Sequence, residues 1–560
     1  MYHKKRNAFF ISTILIGISS LSIIAAAPPP AVSQSGLVAS DHVIASRIGN
    51  SILEKGGNAV DAVIATAIAA GVVQPAGSGL GGGGFVVWST DKNEVGSLDF
   101  RERAPEKSYP NLYVEYKEER PKASKDGGLA VATPNETQGL IELHRRFGTF
   151  SLQELVAPSI KLAQKGFVVS AQMHKGFLKL EEQASSFVRL FLYQENIPKQ
   201  HDIIKRPRMA KTLKSWASSN GQVAIDGWVA QDWVDTVKKD GGILELDDIK
   251  KNTARERLPV EGKYRGWRVI SMAPPSSGGV VLLQILAVLE TYDISSLPHN
   301  SATMLHLYTE TMQHAFADRA LYMGDPERTD IPIDRLLSPA RIEQIQKSID
   351  ESQTFAAEYY GTAVQIPEDD GTQHISIIDK DGFAVALTST INTYFGSKVV
   401  GEKSGVVLNN QMDDFVAQPG VANAYGLVGS EANYVAPFGI PLSSMTPTIL
   451  ISPDGSEKIA IGASGGPFII SATLQSIINI IDYQMDPSEA IAAPRIHHQW
   501  QPRKIFVDKG ISWDTQEKLK TIGHEIQDFE HYSSVQIVHY EKHNQTFWGA
   551  SDPRKGGWPQ

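Results

Sequence analysis

Alternating polar and apolar positions in the last third of the chain predict a β-hairpin. The segment HISIID, residues 374–379, alternates, the turn DKDG follows, and FAVALTST, residues 383–390, resumes the alternation. Thr372, with Gly371 before it, stands at the open end of this hairpin. Two interpretations remain open at this point: an ordinary boundary between a loop and a strand, or a place where the chain is cut.

Helical spacing dominates the first part of the chain. Residues 42–73 predict two helices around a Gly-Gly-Asn turn, and the second is predicted to be a buried core helix because Asp61 is too central for a membrane span. Residues 150–350 place apolar side chains at spacings of three and four, so this region is predicted to be mainly helical. After Thr372 the chain is strand-rich around one helical stretch near 468–483. Helices outside and sheets inside predict an α+β body with αββα layers.

Composition excludes several classes of protein. The 560 residues are 42% hydrophobic and 21% charged, which is typical of a globular chain with a large core. The net charge of -9 argues against a nucleic-acid partner. The chain has no Cys, which excludes disulfides, thiol catalysis and cysteine metal sites.

The N-terminus predicts export. Lys4, Lys5 and Arg6 precede an apolar run over residues 8–27, and small residues at 31 and 33 lie before a possible cut at position 34. Residues 1–33 are therefore predicted to be a signal peptide, and the protein to be periplasmic or secreted. An uncut N-terminal anchor is the alternative, since the run is long enough to span a bilayer.

Polar runs downstream of Thr372 predict a binding pocket. The segments are TSTINTYFGS (388–397), NNQMDDF (409–415), PLSSMTPT (441–448) and GASGG (462–466). Such side chains are costly to bury unless they satisfy one another or a ligand. The glycine loop at 75–88 leads into a strand with no Lys-Ser/Thr after it, so no nucleotide site is predicted.

The sequence also argues against a metal-dependent design. The neighbours His497 and His498 would point to opposite sides of an extended chain and form no chelate, so we expect neither a metal nor a cofactor.

Ordered motifs along nearly the whole mature chain resemble the gamma-glutamyltranspeptidase family of N-terminal nucleophile hydrolases. They are GGNAVDA, GSGLGGGGF, DFRERAP, APPSSGG, AFADRA, TQHISIIDKDG, NNQMDDF, PLSSM, PRIHHQW and GASDPR. The resemblance implies a four-layer αββα sandwich and a precursor that cuts itself between Gly371 and Thr372. It implies a large subunit, 34–371, and a small subunit, 372–560, that together form one domain.

The implied chemistry agrees with the residue types. Once Thr372 is an N-terminus, its α-amine, with a reference pKa of about 7.7–8.0, can act as general base for its own hydroxyl. Before the cut, the same hydroxyl can attack the carbonyl of Gly371, forming an ester that water hydrolyses; glycine can adopt the strained conformation that this attack needs.

The resemblance also implies roles for the remaining site residues. The residues that act on the scissile group are Thr390, which orients the nucleophile, and Gly465 and Gly466, whose N–H groups bind the oxyanion. The residues that hold the substrate are Arg101, Ser443 and Ser444 for its α-carboxylate, Asn392, Gln411 and Asp414 for its α-ammonium, and Tyr425 as a lid that bonds to Asn392. Ser464 and Pro467, on either side of the oxyanion glycines, depart from the family pattern.

The implied function is cleavage of γ-glutamyl amides such as glutathione through a γ-glutamyl ester of Thr372, with transfer to water, an amino acid or a peptide. A glutaryl-cephalosporin acylase or a poly-γ-glutamate hydrolase on the same fold is the nearer alternative. An exported binding protein that stays uncut is the more distant one.

Overall fold

The computed structural model describes residues 27–180, 183–361, 371–416, 431–529 and 533–560. The predicted lid residue Tyr425 and most of the predicted signal peptide lie outside these ranges. Among the described residues, no helix combines the length and the apolar character needed to cross a membrane.

Helices and strands are distributed along the whole described chain. The strands are β1 Ala31–Ser33, β2 Gly36–Ser40, β3 Gly83–Ser89, β4 Val95–Phe100, β5 Phe167–Val168, β6 Ile203–Ile204, β7 Arg255–Arg257, β8 Val260–Tyr264, β9 Trp267–Ser271, β10 Gln373–Asp379, β11 Ala384–Thr390, β12 Thr448–Ile451, β13 Glu457–Ser464, β14 Ile496–His497, β15 Ile505–Val507, β16 Ile526–Asp528, β17 Ser534–Glu541 and β18 Thr546–Ser551. The α-helices are α1 Val43–Glu54, α2 Ala59–Val73, α3 Leu112–Glu115, α4 Glu136–Phe147, α5 Leu152–Lys165, α6 Ala171–Leu178, α7 Ala184–Leu192, α8 Pro207–Ser218, α9 Trp228–Lys239, α10 Leu246–Lys251, α11 Gly278–Leu289, α12 Ala302–Tyr322, α13 Ile333–Leu336, α14 Pro339–Ser348, α15 Ala357–Tyr360, α16 Phe468–Ile481, α17 Pro487–Ala492 and α18 Trp513–Ile522.

Two antiparallel sheets form the centre of the molecule. One has the order β2-β10-β11-β3-β4-β7 and the other β1-β18-β17-β13-β12-β9-β8. Strands β10 and β11 pack against β13 of the second sheet, while α2 covers the first sheet from outside and α11 and α16 cover the second. The predicted four-layer αββα sandwich is confirmed.

The side-chain pattern of β3 shows why the sheets are sandwiched. Phe85 and Val87 face the core between the sheets, whereas Val86 and Trp88 face the core under α2. Because successive side chains of a strand point to opposite faces, a strand that is apolar at every position must be covered on both sides.

Most predicted elements are confirmed, with one correction. The hairpin is β10–β11, the Gly-Gly-Asn turn separates α1 from α2, and α2 is buried throughout. Asn58 and Asp61 form a reciprocal capping box at its start. The interpretation of residues 150–350 as mainly helical was incomplete, because β7, β8 and β9 lie within 255–271.

The segments before and after position 372 are interleaved in both sheets. The hairpin β10–β11 lies between β2 and β3, and β12 pairs with β9 in the other sheet. Strand β1 pairs with β18, so the folded body includes residues N-terminal to the predicted signal cut.

Candidate active site

The ends of three central strands meet at one cavity. Strand β10 begins directly after Thr372, β11 ends at Thr390, and β13 ends at Ser464 before helix α16. The cavity, together with the solvent-open space at its mouth, encloses about 350 Å³. Its lining residues are Arg101, Arg319, Thr372, Thr390, Asn392, Gln411, Asp414, Leu442, Ser443, Ser444, Met445, Gly466, Pro467 and Ile469.

The hairpin register places the two threonines side by side. Gln373 pairs with Ser389, so Thr372 comes next to Thr390, and their Oγ1 atoms are 3.0 Å apart. The backbone N–H of Asn392 donates to Thr390 Oγ1 at 2.8 Å, which fixes that hydroxyl. Thr390 can therefore hold the Thr372 hydroxyl in one orientation.

The backbone around the predicted cut is strained. Thr372 has a φ of 96°, which is rare for a β-branched residue. A Cβ at Gly371 would lie 1.7 Å from the carbonyl oxygen of Asn392, so only glycine fits there. Gly371 and Thr372 are joined by the peptide bond that is predicted to be cut, so the conformational constraint lies at that bond.

Glycines 465 and 466 form the turn between β13 and α16. Their φ values are 122° and 55°, both in the region that favours glycine. Gly466 lines the cavity and Gly465 precedes it directly. Their N–H groups stand at the start of a helix, where the helix dipole is positive and favours an anion. Pro467, one of the two departures from the family pattern, occupies the N-cap of that helix and also lines the cavity.

The opposite wall pairs a cation with an anion. Arg101 Nη2 donates to Asp414 Oδ2 at 2.5 Å and to the carbonyl oxygen of Leu442 at 3.0 Å, and Gln411 Nε2 donates to the same Asp414 oxygen at 2.6 Å. Burial raises the pKa of the Asp414 carboxyl, while Arg101 and Gln411 act in the opposite direction. Among the described residues, the buried Asp414 Oδ1 and Gln411 Oε1 have no hydrogen-bond partner. Two acceptor oxygens are thus available to a donor.

A second arginine, which the sequence analysis did not identify, lies beside the serines. Arg319 Nη2 donates to Ser444 Oγ at 3.1 Å, and its Nε donates to Ser277 Oγ at 2.8 Å. Ser277 Oγ donates in turn to the carbonyl oxygen of Ser443 at 2.8 Å. Arg319 belongs to the motif AFADRA, which was recognised only as part of the family pattern.

Two buried carboxyl groups lie behind this wall. Burial raises the pKa of Glu102 and of Glu136 to about 8, so both are largely protonated at neutral pH. Ser389 Oγ donates to Glu136 at 2.9 Å, and both Glu102 carboxyl oxygens lack a hydrogen-bond partner among the described residues. Their neutral state leaves Asp414 as the anion that faces the cavity.

A lysine from the C-terminal tail, also missed by the sequence analysis, lies on the far side of the nucleophile. Lys555 Nζ donates to the carbonyl oxygen of Thr372 at 2.7 Å and to Ser464 Oγ at 2.6 Å. Lys555 therefore holds the carbonyl group of Thr372, while Thr390 holds its hydroxyl group.

Potential metal ligands come together elsewhere in the described part of the chain. His306, Glu310 and His524 place one ligand atom each within 4.8 Å of one another. His306 Nδ1 and His524 Nε2 are only 2.7 Å apart, a hydrogen-bond distance, and Tyr360 donates to Glu310 at 2.6 Å. All three residues are buried, and none of them lines the cavity.

Known proteins resemble this chain over nearly its whole length. The profile of the family described as Gamma-glutamyltranspeptidase matches residues 45–559. The chain is 37% identical to the glutathione hydrolase proenzyme of Escherichia coli, over 97% of each sequence.

Two solved structures extend the comparison. A gamma-glutamyltranspeptidase structure from Helicobacter pylori is 35% identical, with a TM-score of 0.53, and the match covers 56% of this chain and 91% of the other. A cephalosporin acylase from Bacillus halodurans shares the fold with a TM-score of 0.83 at 23% identity, over 100% of this chain and 99% of the acylase.

Proposed function

This chain belongs to the gamma-glutamyltranspeptidase family of γ-glutamyl hydrolases and transferases, and we propose that it cuts itself between Gly371 and Thr372 and then cleaves γ-glutamyl amides such as glutathione on the Thr372 hydroxyl. The observation that carries the proposal is the strained Thr372 backbone beside a hydroxyl that Thr390 already holds at 3.0 Å.

The backbone strain supports the cut because the strained φ angle of Thr372 includes the peptide bond that would be broken. The φ angle of Thr372 is the rotation about its N–Cα bond, and it is defined by the carbonyl carbon of Gly371. When the Thr372 hydroxyl attacks that carbon, the peptide C–N bond breaks, the acyl group moves to oxygen and the amine takes up a proton. Hydrolysis of the ester then leaves a free carboxyl group on Gly371. The constraint on φ disappears with the bond, so the strain of the uncut chain favours the reaction.

Catalysis follows with the same hydroxyl. The free α-amine of Thr372 accepts the hydroxyl proton as the oxygen attacks the γ-carbonyl carbon, and the N–H groups of Gly465 and Gly466 stabilise the oxyanion. The proton passes to the leaving amine, and a γ-glutamyl ester of Thr372 remains. Water, or the amine of an amino acid or peptide acceptor, releases the acyl group and restores the hydroxyl.

The opposite wall orients the substrate. Asp414 Oδ1 and Gln411 Oε1 accept hydrogen bonds from the α-ammonium, with Asn392 beside them, and Arg101, Ser443 and Ser444 receive the α-carboxylate. Arg319 adds positive charge behind Ser444. Tyr425 would close the site over Asn392, as the family resemblance implies.

Subunit composition and location follow from the same proposal. The two pieces, one ending at Gly371 and the other beginning at Thr372, remain together as one αββα domain, and the basic and apolar N-terminus directs the precursor out of the cytoplasm. Neither the self-cleavage nor the γ-glutamyl transfer on Thr372, as proposed, needs a metal or a cofactor.

N-terminal sequencing of the purified protein tests the proposal. A denaturing gel should show two bands, the smaller beginning at Thr372, and the preparation should hydrolyse γ-glutamyl anilide. Thr372→Ala should give one band and no activity, while Thr372→Ser should still be cut, more slowly. An intact chain that is active, or a single band from the wild type, would contradict the mechanism; the single band is what an uncut binding protein would give.

A further inference from the structure

The C-terminal tail places the buried ammonium group of Lys555 next to the carbonyl oxygen of Thr372. After β18 the chain runs back to the N-terminal strand β2. There the N–H of Gln560 donates to the carbonyl oxygen of Val38 at 3.0 Å, and the N–H of Val38 donates to the carbonyl oxygen of Gln560 at 2.8 Å. A Cβ at Gly557 would lie 2.4 Å from the carbonyl oxygen of Ser40, so the tail lies tightly against β2. This path brings Lys555 between β10 and β13.

Lys555 has three partners at this position, and each belongs to a different part of the chain. Its side chain is 7% exposed. Besides the carbonyl oxygen of Thr372 and Ser464 Oγ, its Nζ lies 3.4 Å from Asp41 Oδ2. The ammonium group therefore connects the nucleophile, the strand before the oxyanion turn and the N-terminal strand β2.

Asp41 is itself held firmly. The side chain is fully buried, and Oδ1 accepts hydrogen bonds from Gln536 Nε2 at 2.6 Å and from Ser534 Oγ at 3.0 Å. The N–H of His374 donates to Oδ2 at 3.3 Å. A buried carboxylate with this many donors offsets the desolvation of the lysine and fixes where the ammonium group can stand.

We infer that Lys555 is a positioning residue for the reaction, which fixes the Thr372 carbonyl relative to the oxyanion turn and whose positive charge keeps the Thr372 α-amine in its basic, unprotonated form. This inference rests on the proposed function. The hydrogen bonds at 2.7 and 2.6 Å set the distance between the nucleophile and the strand that ends at Ser464, and misplacement of such groups by about 1 Å can lower a rate about 100-fold.

The charge acts on the amine through proximity. The carbonyl oxygen and the nitrogen of one residue are joined by three bonds, so the ammonium group lies no more than about 6.5 Å from the Thr372 nitrogen. A like charge at that distance disfavours protonation of the amine. Other titratable groups described near Thr372 or Lys555 are Asp41, the buried His374, whose pKa burial lowers to about 3, and three residues that line the cavity with Thr372: Arg101, Arg319 and Asp414.

The test compares two substitutions that separate charge from geometry. Lys555→Met removes both, whereas Lys555→Arg keeps the charge and changes the hydrogen-bond geometry. In the cut protein, we expect Lys555→Met to lower kcat for γ-glutamyl anilide about 10- to 100-fold with little change in KM. Its apparent pKa on kcat/KM should rise by about 0.5–1 unit, while Lys555→Arg keeps the wild-type pKa.

Controls and contrary results are defined for each variant. Lys520→Met, an exposed lysine paired with Glu517, should leave kcat and the pH profile unchanged. An apparent pKa in Lys555→Met equal to that of the wild type would overturn the inference. Equal losses of kcat in Lys555→Met and Lys555→Arg, accompanied by a lowered Tm in both, would also overturn it.

An uncut Lys555→Met protein would also be decisive. A Tm equal to that of Thr372→Ala would show a folded chain that lacks only the attack, which supports the role, whereas a much lower Tm would make Lys555 a folding residue. An inactive or uncut wild type would instead contradict the proposed function itself, so the two failures are distinguishable.

Discussion

At the scale of single residues, the contact between Arg101 and Asp414 puts a cation and an anion on one wall of the cavity. The pair leaves one carboxylate oxygen without a partner among the described residues, next to the unpartnered amide oxygen of Gln411. A ligand with an ammonium and a carboxylate on one carbon can satisfy both sides of this wall. A glutaryl group lacks the ammonium and would leave the buried acceptors unsatisfied, which is unfavourable.

Asp414→Asn should therefore reduce the preference for γ-glutamyl over glutaryl substrates. In the wild type we expect kcat/KM for γ-glutamyl anilide to exceed that for glutaryl anilide by about a hundredfold to several thousandfold. The amide can still form hydrogen bonds but does not offset the ammonium charge, so the variant should lose activity mainly on the γ-glutamyl substrate. Both rate constants, measured on both proteins, test this. Equal wild-type rates, or a ratio that the substitution does not change, would favour the acylase alternative.

The residues that the sequence did not reveal share one property: their role depends on distant partners. Lys555 is 183 positions from Thr372, and Arg319 is 125 positions from Ser444. Lys555 lies in an irregular tail, and Arg319 lies in the last turn of helix α12, whose pattern predicts only burial. By contrast, Thr372 and Thr390 belong to one hairpin, and their closeness follows from its alternation. The roles of Thr390, Arg101, Asp414 and the serines came from the family resemblance, not from local pattern.

At the scale of elements, length decided what the sequence could predict. The long, strongly patterned helices α2 and α16 and the hairpin β10–β11 were predicted close to their observed positions. Strands β7 to β9 have three to five residues each and are joined by tight turns, so they give too few alternating positions to stand out within a helical region. Their strand conformation depends on pairing with β4 and β12.

Strand β1 makes a prediction about the mature N-terminus. Its residues Ala31 and Ser33 pair with Gly549 and Phe547, and the carbonyl oxygen of Pro28 accepts a hydrogen bond from Ser488. A signal cut after Ser33 would remove these contacts, so we expect the mature large piece to begin upstream of Ala31. N-terminal sequencing of the exported protein measures this, and a start at Gln34 would contradict it. Deletion of residues 28–33 behind the same signal should lower Tm.

At the scale of the whole molecule, buried titratable groups of two kinds set the pH range of stability. Burial lowers the pKa values of several histidines: about 4 for His42, His314 and His497, and about 3 for His374 and His524. These groups are protonated in the unfolded chain below about pH 6.5 but stay neutral in the folded one, so stability falls as the pH falls through that window. Glu102 and Glu136, with pKa values raised to about 8, act in the reverse direction. They are ionised in the unfolded chain above about pH 4.5 but protonated in the folded one, so their contribution falls as the pH rises towards 8.

The uncut Thr372→Ala chain should therefore show its highest Tm near neutral pH, with a steeper decline on the acid side. The histidines outnumber the two glutamates between about pH 4.5 and 6.5, and the glutamates dominate above that. Glu102→Gln in the same background removes one of the two glutamate titrations, so it should flatten the alkaline side and steepen the rise in Tm between about pH 4.5 and 6.5. Thermal unfolding followed from pH 4.5 to 8.5 measures both limbs. An alkaline limb unchanged by the substitution would show that Glu102 is not a protonated buried group.

If the chain is cut before Thr372 as proposed, the interleaving of the two pieces in both sheets has a consequence for the lifetime of the mature enzyme. The hairpin that carries the nucleophile was inserted between β2 and β3 while the protein was one chain, when its loop closure was intramolecular. Once the chain is cut, the same arrangement can be regained only through an encounter of two separate molecules, each with unpaired sheet edges that are prone to aggregate. Loss of the mature fold is then effectively one-way, and the working life of the enzyme is governed by how fast it unfolds, not by the balance between folded and unfolded states.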